Sequence, residues 1–229
     1  MENAIKNKTK DKKTFAKGLC FAKYFWVYVI GCIFGCYWEE ILSFTTNFLE
    51  NGTFIWELHR GVIYGPFSPV YGGGAMLLTY VFAKKDFKWW QYILYGALGG
   101  GFFEYLISFL QETFIGTVSW DYSEMFLNIN GRTTVPFMLF WGLLACIWAM
   151  YIYPKMSKFI ESWPYKFGKI LTTICVILLS LDMLISWTAL FRQTQRRQGI
   201  PPKTIVGELY DKYYTDEFLK KYFVNMRES

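Results

Sequence analysis

Five apolar runs of about 20 residues or more, at 21–48, 65–83, 89–115, 134–153 and 168–191, restrict this chain to a membrane-spanning helical fold. A run of that length crosses a hydrocarbon core of about 30 Å as an α-helix. A helix also satisfies its own backbone where no water is present to do so. Only 18% of the 229 residues are charged, against about 25% in soluble domains, while 53% are hydrophobic and 21% aromatic. The chain reads as all-α, a single polytopic transmembrane helical bundle of about five membrane helices. It divides into a basic N-terminal segment at 1–20, a membrane domain at 21–191 and a charged tail at 192–229. A short amphipathic helix is predicted in the tail from about Asp216.

The second run is the weak one. Pro66, Pro69 and Gly72 to Gly74 break regular helix, so its start is expected to be broken or re-entrant. The lysines set the topology. Lys6, Lys8, Lys10, Lys12, Lys13, Lys17 and Lys23 precede the first run. Lys84, Lys85 and Lys88 follow the second, and Lys155, Lys158, Lys166 and Lys169 occupy a basic connection at 154–167. These three segments are expected in the cytosol of a bacterium, with the protein multi-pass in the inner (plasma) membrane. The loops at 49–65 and 116–133 carry only Arg60 and Arg132 and are expected outside. The tail then falls outside, in conflict with Arg192, Arg196 and Arg197, which favour the cytosol.

A net charge of +6 concentrated beside membrane helices does not suit nucleic acid. The five cysteines lie mostly in apolar runs without a Cys-x-x-Cys pair, which reads as small buried side chains rather than metal ligands. No small-residue cleavage site follows the first run, so no cleavable signal peptide is expected.

Ionisable residues inside membrane spans are functional candidates. Here they are Glu39 and Glu40, Glu104 and Glu112, and Asp182. Arg60 and Arg132 are the natural counter-charges. Gly96, Gly100, Glu104, Ser108 and Glu112 recur every four residues and share one helix ridge. Small residues on such a ridge admit a neighbouring helix. The ridge is therefore a packing seam or a polar path centred on Glu104. The segment from His59 through Tyr64 to Gly72 has free amides that could hold an anion, helped by Arg60. Asp121 and Arg132, within Trp120-Asp121-Tyr122-Ser123 and Asn130-Gly131-Arg132, read as a salt bridge, or as part of a carboxylate set for a divalent cation. His59, the only histidine, is expected at the surface.

Together these stretches carry a resemblance. Trp38-Glu39-Glu40, the run Arg60-Gly61-Val62-Ile63-Tyr64-Gly65-Pro66-Phe67-Ser68-Pro69-Val70-Tyr71-Gly72, Phe103-Glu104-Tyr105, Trp120-Asp121-Tyr122-Ser123 and Asn130-Gly131-Arg132 occur in order. The chain resembles the bacterial membrane family named putative ABC-transporter type IV, over about residues 21–150 and in the tail at Phe223-Val224-Asn225-Met226. The resemblance implies a permease-like transport component. No Walker A sequence is present, so an ATP-driven pump would need a separate ATPase subunit, and so few helices would need a homo-oligomer. Membrane lipids are the other expected partner. Two readings compete: an intramembrane enzyme on a lipid-linked substrate, with a buried carboxylate as base and arginine on a phosphate, and a non-catalytic sensor or assembly factor. No nucleophile–base pair is evident, so no catalytic residue, metal or cofactor is assigned. Glu39, Glu40, Arg60, Tyr64, Glu104, Asp121 and Arg132 are the candidate binding residues.

Overall fold

The computed structural model describes residues 13–228, so Lys6, Lys8, Lys10 and Lys12 lie outside the described residues. The elements are α1 (Phe21–Asn51), α2 (Pro69–Phe82), α3 (Trp89–Ile115), β1 (Thr117–Val118), β2 (Asn128–Ile129), β3 (Thr133–Thr134), α4 (Val135–Ile147), α5 (Tyr153–Glu161), α6 (Tyr165–Arg197), α7 (Ile205–Tyr213), α8 (Asp216–Tyr222) and β4 (Arg227–Glu228). A π-helical turn, Trp148–Ile152, joins α4 to α5. Four helical stretches are long and apolar enough to cross a membrane: Phe21–Asn51, Trp89–Ile115, Val135–Glu161 and Tyr165–Arg197. They form a polytopic transmembrane bundle. Their outer faces carry Phe102, Phe140, Ile170, Leu178 and Leu184 fully open, an apolar coat suited to lipid rather than water.

The bundle is built from two close helix pairs. Between α1 and α2, Gly31 faces Ala75 and Gly72, and Gly35 faces the Tyr71 ring. Between α3 and α4, Gly96 faces Ala145 and Gly142, and Gly100 faces Trp141. A Cβ on Gly142 would stand 2.4 Å from the Ile93 carbonyl oxygen, so the two backbones touch there. Small residues allow that approach, and dispersion then holds the pair where lipid offers no hydrophobic drive. The helix α6 joins the pairs: Trp26 Nε1 donates to Thr172 Oγ1 at 2.8 Å. Trp148 Nε1 donates to Thr79 Oγ1 at 3.1 Å, tying the π-turn to α2.

Three boundaries differ from the sequence reading. The helix α2 has only 14 residues, about 21 Å at 1.5 Å per residue, too short to span alone. Residues 61–68 precede it as irregular backbone, anchored by Gly61 N donating to Phe67 O and Ser68 N to Cys32 O. This is the broken start that Pro66 and Pro69 foretold. The connection at 154–167 is mostly helix, because α4 continues through the π-turn into α5. Tyr153 N donates to Trp148 O across that wide turn, just before Pro154, which has no N–H to donate. The tail, finally, holds α7 besides α8, which begins at Asp216 where the sequence placed a short amphipathic helix. Thr204 and Thr215 cap α7 and α8 by accepting from Gly207 N and Phe218 N.

The molecule has two distinct ends. At one, Phe15 stacks on Trp163 and lies against Gly168, while Phe82, Phe87 and Tyr92 join the same cluster. Lys23 donates to Glu161 at 2.7 Å. This basic end gathers 13–20, 83–88 and 162–164, as the lysine pattern groups them. The opposite, loop end gathers 52–68, 116–134 and the tail. There β1 pairs antiparallel with β4, Arg60 N donates to Tyr222 O, and His59 bridges Phe223. Arg192 and Arg196, which favour the cytosol by sequence, pair with Asp211 and Asp216 of the tail.

Candidate functional site

The polar residues of the spans collect in the half of the bundle toward the loop end, on three helices. On α3 the four-residue ridge divides its labour. Gly96 and Gly100 seat α4, and the polar members turn to the loop at 116–134. That loop dips into the bundle, so Thr133 and Thr134 are fully buried. Gly131 permits the dip: its φ is +68°, and a Cβ there would meet Ser123 Oγ at 2.5 Å.

Glu104 sits beneath the loop, 9% exposed. Tyr122 donates its hydroxyl to Glu104 Oε1 at 3.0 Å, and Thr133 donates to Oε2 at 2.7 Å. Among the described residues, no lysine, arginine or histidine forms an ion pair with it. The carboxylate is therefore held by neutral donors alone. Tyr122 stacks on Phe137 at 4.8 Å, and its hydroxyl is pushed well above the ordinary tyrosine range, first by burial and then by Glu104, with Glu39 adding to the push. Arg132 stands one turn further out. It donates to Ser108 Oγ, pairs with Glu112 and lies over the rings of Tyr105 and Phe109. Its carbonyl accepts from Trp120 Nε1. Asp121 spends Oδ1 on the Ser123 amide and hydroxyl, so it shapes the loop rather than facing Glu104.

On α1, Glu39 and Glu40 turn to opposite neighbours. Glu39 Oε1 accepts from Tyr71 of α2 at 2.7 Å, and Oε2 accepts from Asn225 of the tail at 3.0 Å. Glu40 is 2% exposed; it accepts from Trp56 Nε1 at 3.1 Å and stands 3.9 Å from Arg60 Nε. Arg60 also covers the Tyr222 ring. His59 is a correction: its side chain is 8% exposed, enclosed by Glu39, Glu57 and the tail. The tail covers a position that the sequence reading had left open.

The amides expected to hold an anion are already occupied. Tyr64 N donates to Asp182 Oδ1 and Ile63 N to Ser186 Oγ, while Ser186 donates to Asp182. The carboxylate of α6 is the anion that this broken segment binds. Tyr64 itself points outward, with its hydroxyl 2.9 Å from that of Tyr214.

Of the seven candidates, Glu39 and Glu104 come into one electrostatic neighbourhood through Tyr71 and Tyr122. Glu40 and Arg60 are neighbours, Arg132 lies on the far side of Glu104 toward Glu112, and Tyr64 and Asp121 stand apart. Sequence reasoning missed Tyr71, Thr133 and Asn225. Tyr71 lies inside a motif already singled out, and Thr133 directly follows one. Asn225 lies in the tail stretch that shares the resemblance, but its partner, 186 residues away, could not be read. Among the described residues, no group of three or more His, Cys, Asp or Glu side chains is placed to hold a metal ion.

The family model described as Putative ABC-transporter type IV matches residues 26–187, which takes in every side chain of this site except Asn225 and the tail contacts. No curated protein and no solved structure matches the chain.

Proposed function

The chain belongs to the putative ABC-transporter type IV family, and on that premise we propose that it is a permease-like transport component of the bacterial cell membrane. The basic end faces the cytosol, with the N-terminus, and the loop end faces out. The substrate path runs past Glu104, Glu39 and their tyrosines. The observation that carries this reading is Glu104 itself. A carboxylate inside a membrane span, held by hydroxyls without a cation, is too costly to keep for packing alone.

The chain contains no Walker A sequence, so the energy of an ATP-driven cycle would enter through a separate ATPase. The surface suited to docking it is α5 and the turn after it, where Lys155, Lys158 and Lys166 flank the exposed Phe159 and Tyr165. Two or more copies would complete the permease.

Native mass spectrometry of the protein, gently extracted from its own membrane, tests this. An ATPase at fixed stoichiometry, lost on Lys155→Glu with Lys158→Glu, is the expected result. A homogeneous protein that carries no ATPase in any preparation would remove the ATP-driven reading.

A further inference from the structure

His59 is the one imidazole in the chain, and it is in an unusual position. Both ring nitrogens are buried and, among the described residues, neither has a hydrogen-bond partner. Each nonetheless faces a carboxylate. Nδ1 lies 3.8 Å from Glu39 Oε2, and Nε2 lies 3.8 Å from Glu57 Oε2. Burying an imidazole with both nitrogens idle is unfavourable unless the ring gains or passes something there.

The two carboxylates differ in depth more than in exposure, since Glu39 is itself 28% exposed. Glu57 is 38% exposed and is fixed by Ser43 Oγ at 2.9 Å and Asn47 Nδ2 at 3.4 Å. Ser43 lies four residues beyond Glu39 along α1, so Glu57 stands about 6 Å nearer the loop end. Glu39 is turned inward, bonded to Tyr71 of α2, and acts electrostatically on Tyr122, the partner of Glu104. The ring thus spans from a carboxylate nearer the loop end to one bonded to α2 through Tyr71.

We propose that His59 is a proton relay between Glu57 at the loop end and Glu39 inside the bundle, and that the transport described above is coupled to that proton. The coupling rests on the transport reading; the relay does not. In one transfer the Glu57 carboxyl gives its proton to Nε2 as the Nδ1 proton passes to Glu39. Glu57 ends as carboxylate, Glu39 as carboxylic acid, and the imidazole stays neutral with its proton moved from Nδ1 to Nε2. A turn of the ring resets the tautomer. Both 3.8 Å gaps must close to about 3 Å for transfer, a tightening usual for proton-transfer pairs at rest.

Other charged groups bear on the ring. From α1 come Glu39 and Glu40, from α2 Tyr71, from the loop Glu57 and Arg60, and from the tail Tyr222 beside Arg60. Arg60 leans toward Glu40, which leaves Glu39 and Glu57 to the imidazole. Asn225 completes the enclosure by donating to Glu39 Oε2, the same oxygen that faces Nδ1.

The test is infrared difference spectroscopy of the full chain in lipid after a step from about pH 8 to about pH 5. The carboxylic C=O band that vanishes in Glu39→Gln reports the Glu39 proton. His59→Gln is expected to bring the band to the same amplitude about a hundredfold more slowly. Glu57→Gln is expected to slow it in the same way, and it carries the test should His59→Gln fail to fold. An unaltered rate in either His59→Gln or Glu57→Gln, or the absence of a Glu39 carboxyl band, overturns the relay. Neither result bears on whether an ATPase co-purifies, so the two readings fail separately.

Discussion

The two ends of this bundle handle buried charge in opposite ways. At the basic end, Lys23 is fully buried and fully satisfied: its ammonium donates to Glu161 Oε1, to Ser157 Oγ and to the Ser157 carbonyl. Around it Phe15 stacks on Trp163, and Trp26 and Phe159 meet the Trp163 ring edge to face. At the loop end, among the described residues, Glu104 has hydroxyl partners and no cation, while the His59 nitrogens and Arg60 Nε stand near carboxylates without a hydrogen bond. One end is closed by complementarity. The other keeps charges whose hydrogen-bond partners are not all found among the described residues. Residues of the first kind hold a fold together, and residues of the second kind are where a protein gives up stability for work.

The sharpest way to break that contrast is to remove charge from each end. Glu161→Ala leaves Lys23 buried with only Ser157, and is expected to cost about 2–3 kcal/mol in a thermal melt in detergent. Glu104→Gln keeps an acceptor for Tyr122 or Thr133 and removes a charge with no counter-ion, so its change is expected to stay within about 0.5 kcal/mol while transport is lost. If Glu104→Gln destabilises as much as Glu161→Ala, the loop-end carboxylate is structural and the contrast fails.

Glu104→Ala sharpens the same point. It strands the Tyr122 and Thr133 hydroxyls below a buried loop, and about 1–2 kcal/mol should be lost. The difference between the Gln and Ala variants then isolates hydrogen bonding from charge at one position.

The sequence carried more about the frame than about the site, for physical reasons. The bounds of α3 are legible because paired tryptophans begin it and Gly116, at φ +72°, ends it where a side chain would strain. The extension of α4 through the π-turn was hidden, since hydropathy falls at Tyr153 and Pro154 reads as a stop, while a wider turn carries the helix past it. That Glu104 is special follows from a charge in an apolar run. That Tyr122 and Thr133 hold it does not, because a dipping loop depends on Gly131 and on β2 pairing with β3. The tail was read as a charged appendage by composition. Its role as a cover comes from Leu219 and Phe223 packing on Ile63, Ala189 and Leu190, contacts with no local signature.

The cover has its own sensitivity. Asp211 is pulled down to about 2, chiefly by the hydrogen bond from Arg192, with Arg196 adding to the fall against a smaller push from burial. A carboxylate depressed in the folded state stabilises above its unfolded value of 3.8, and that stabilisation is lost as pH falls toward about 2. Between those values the tail should become more open to an acid-active protease. Asp211→Asn should show the same cleavage near neutral pH. A tail equally resistant across that window would mean its apolar face alone holds it.

The smallest effect should come from the point where the broken segment meets the cover. Tyr64 and Tyr214 share one hydroxyl contact at 2.9 Å in an exposed setting, and burial with Tyr64 lifts the Tyr214 hydroxyl to about 12. Tyr64→Phe removes that contact but leaves the Tyr64 amide on Asp182 and the Ile63 amide on Ser186. Because water replaces an exposed hydroxyl contact cheaply, the melt should move by no more than about 0.5 kcal/mol. The Tyr214 hydroxyl should also titrate closer to the ordinary tyrosine value of 10.0, read from its ultraviolet phenolate band. By contrast, Asp182→Asn weakens the acceptor of a buried amide and should cost about 1 kcal/mol or more. That order, backbone anchor above side-chain contact, is what a segment fixed by its amides requires. The reverse order would mean that the Tyr64 side chain, a candidate by sequence, holds the cover in place after all.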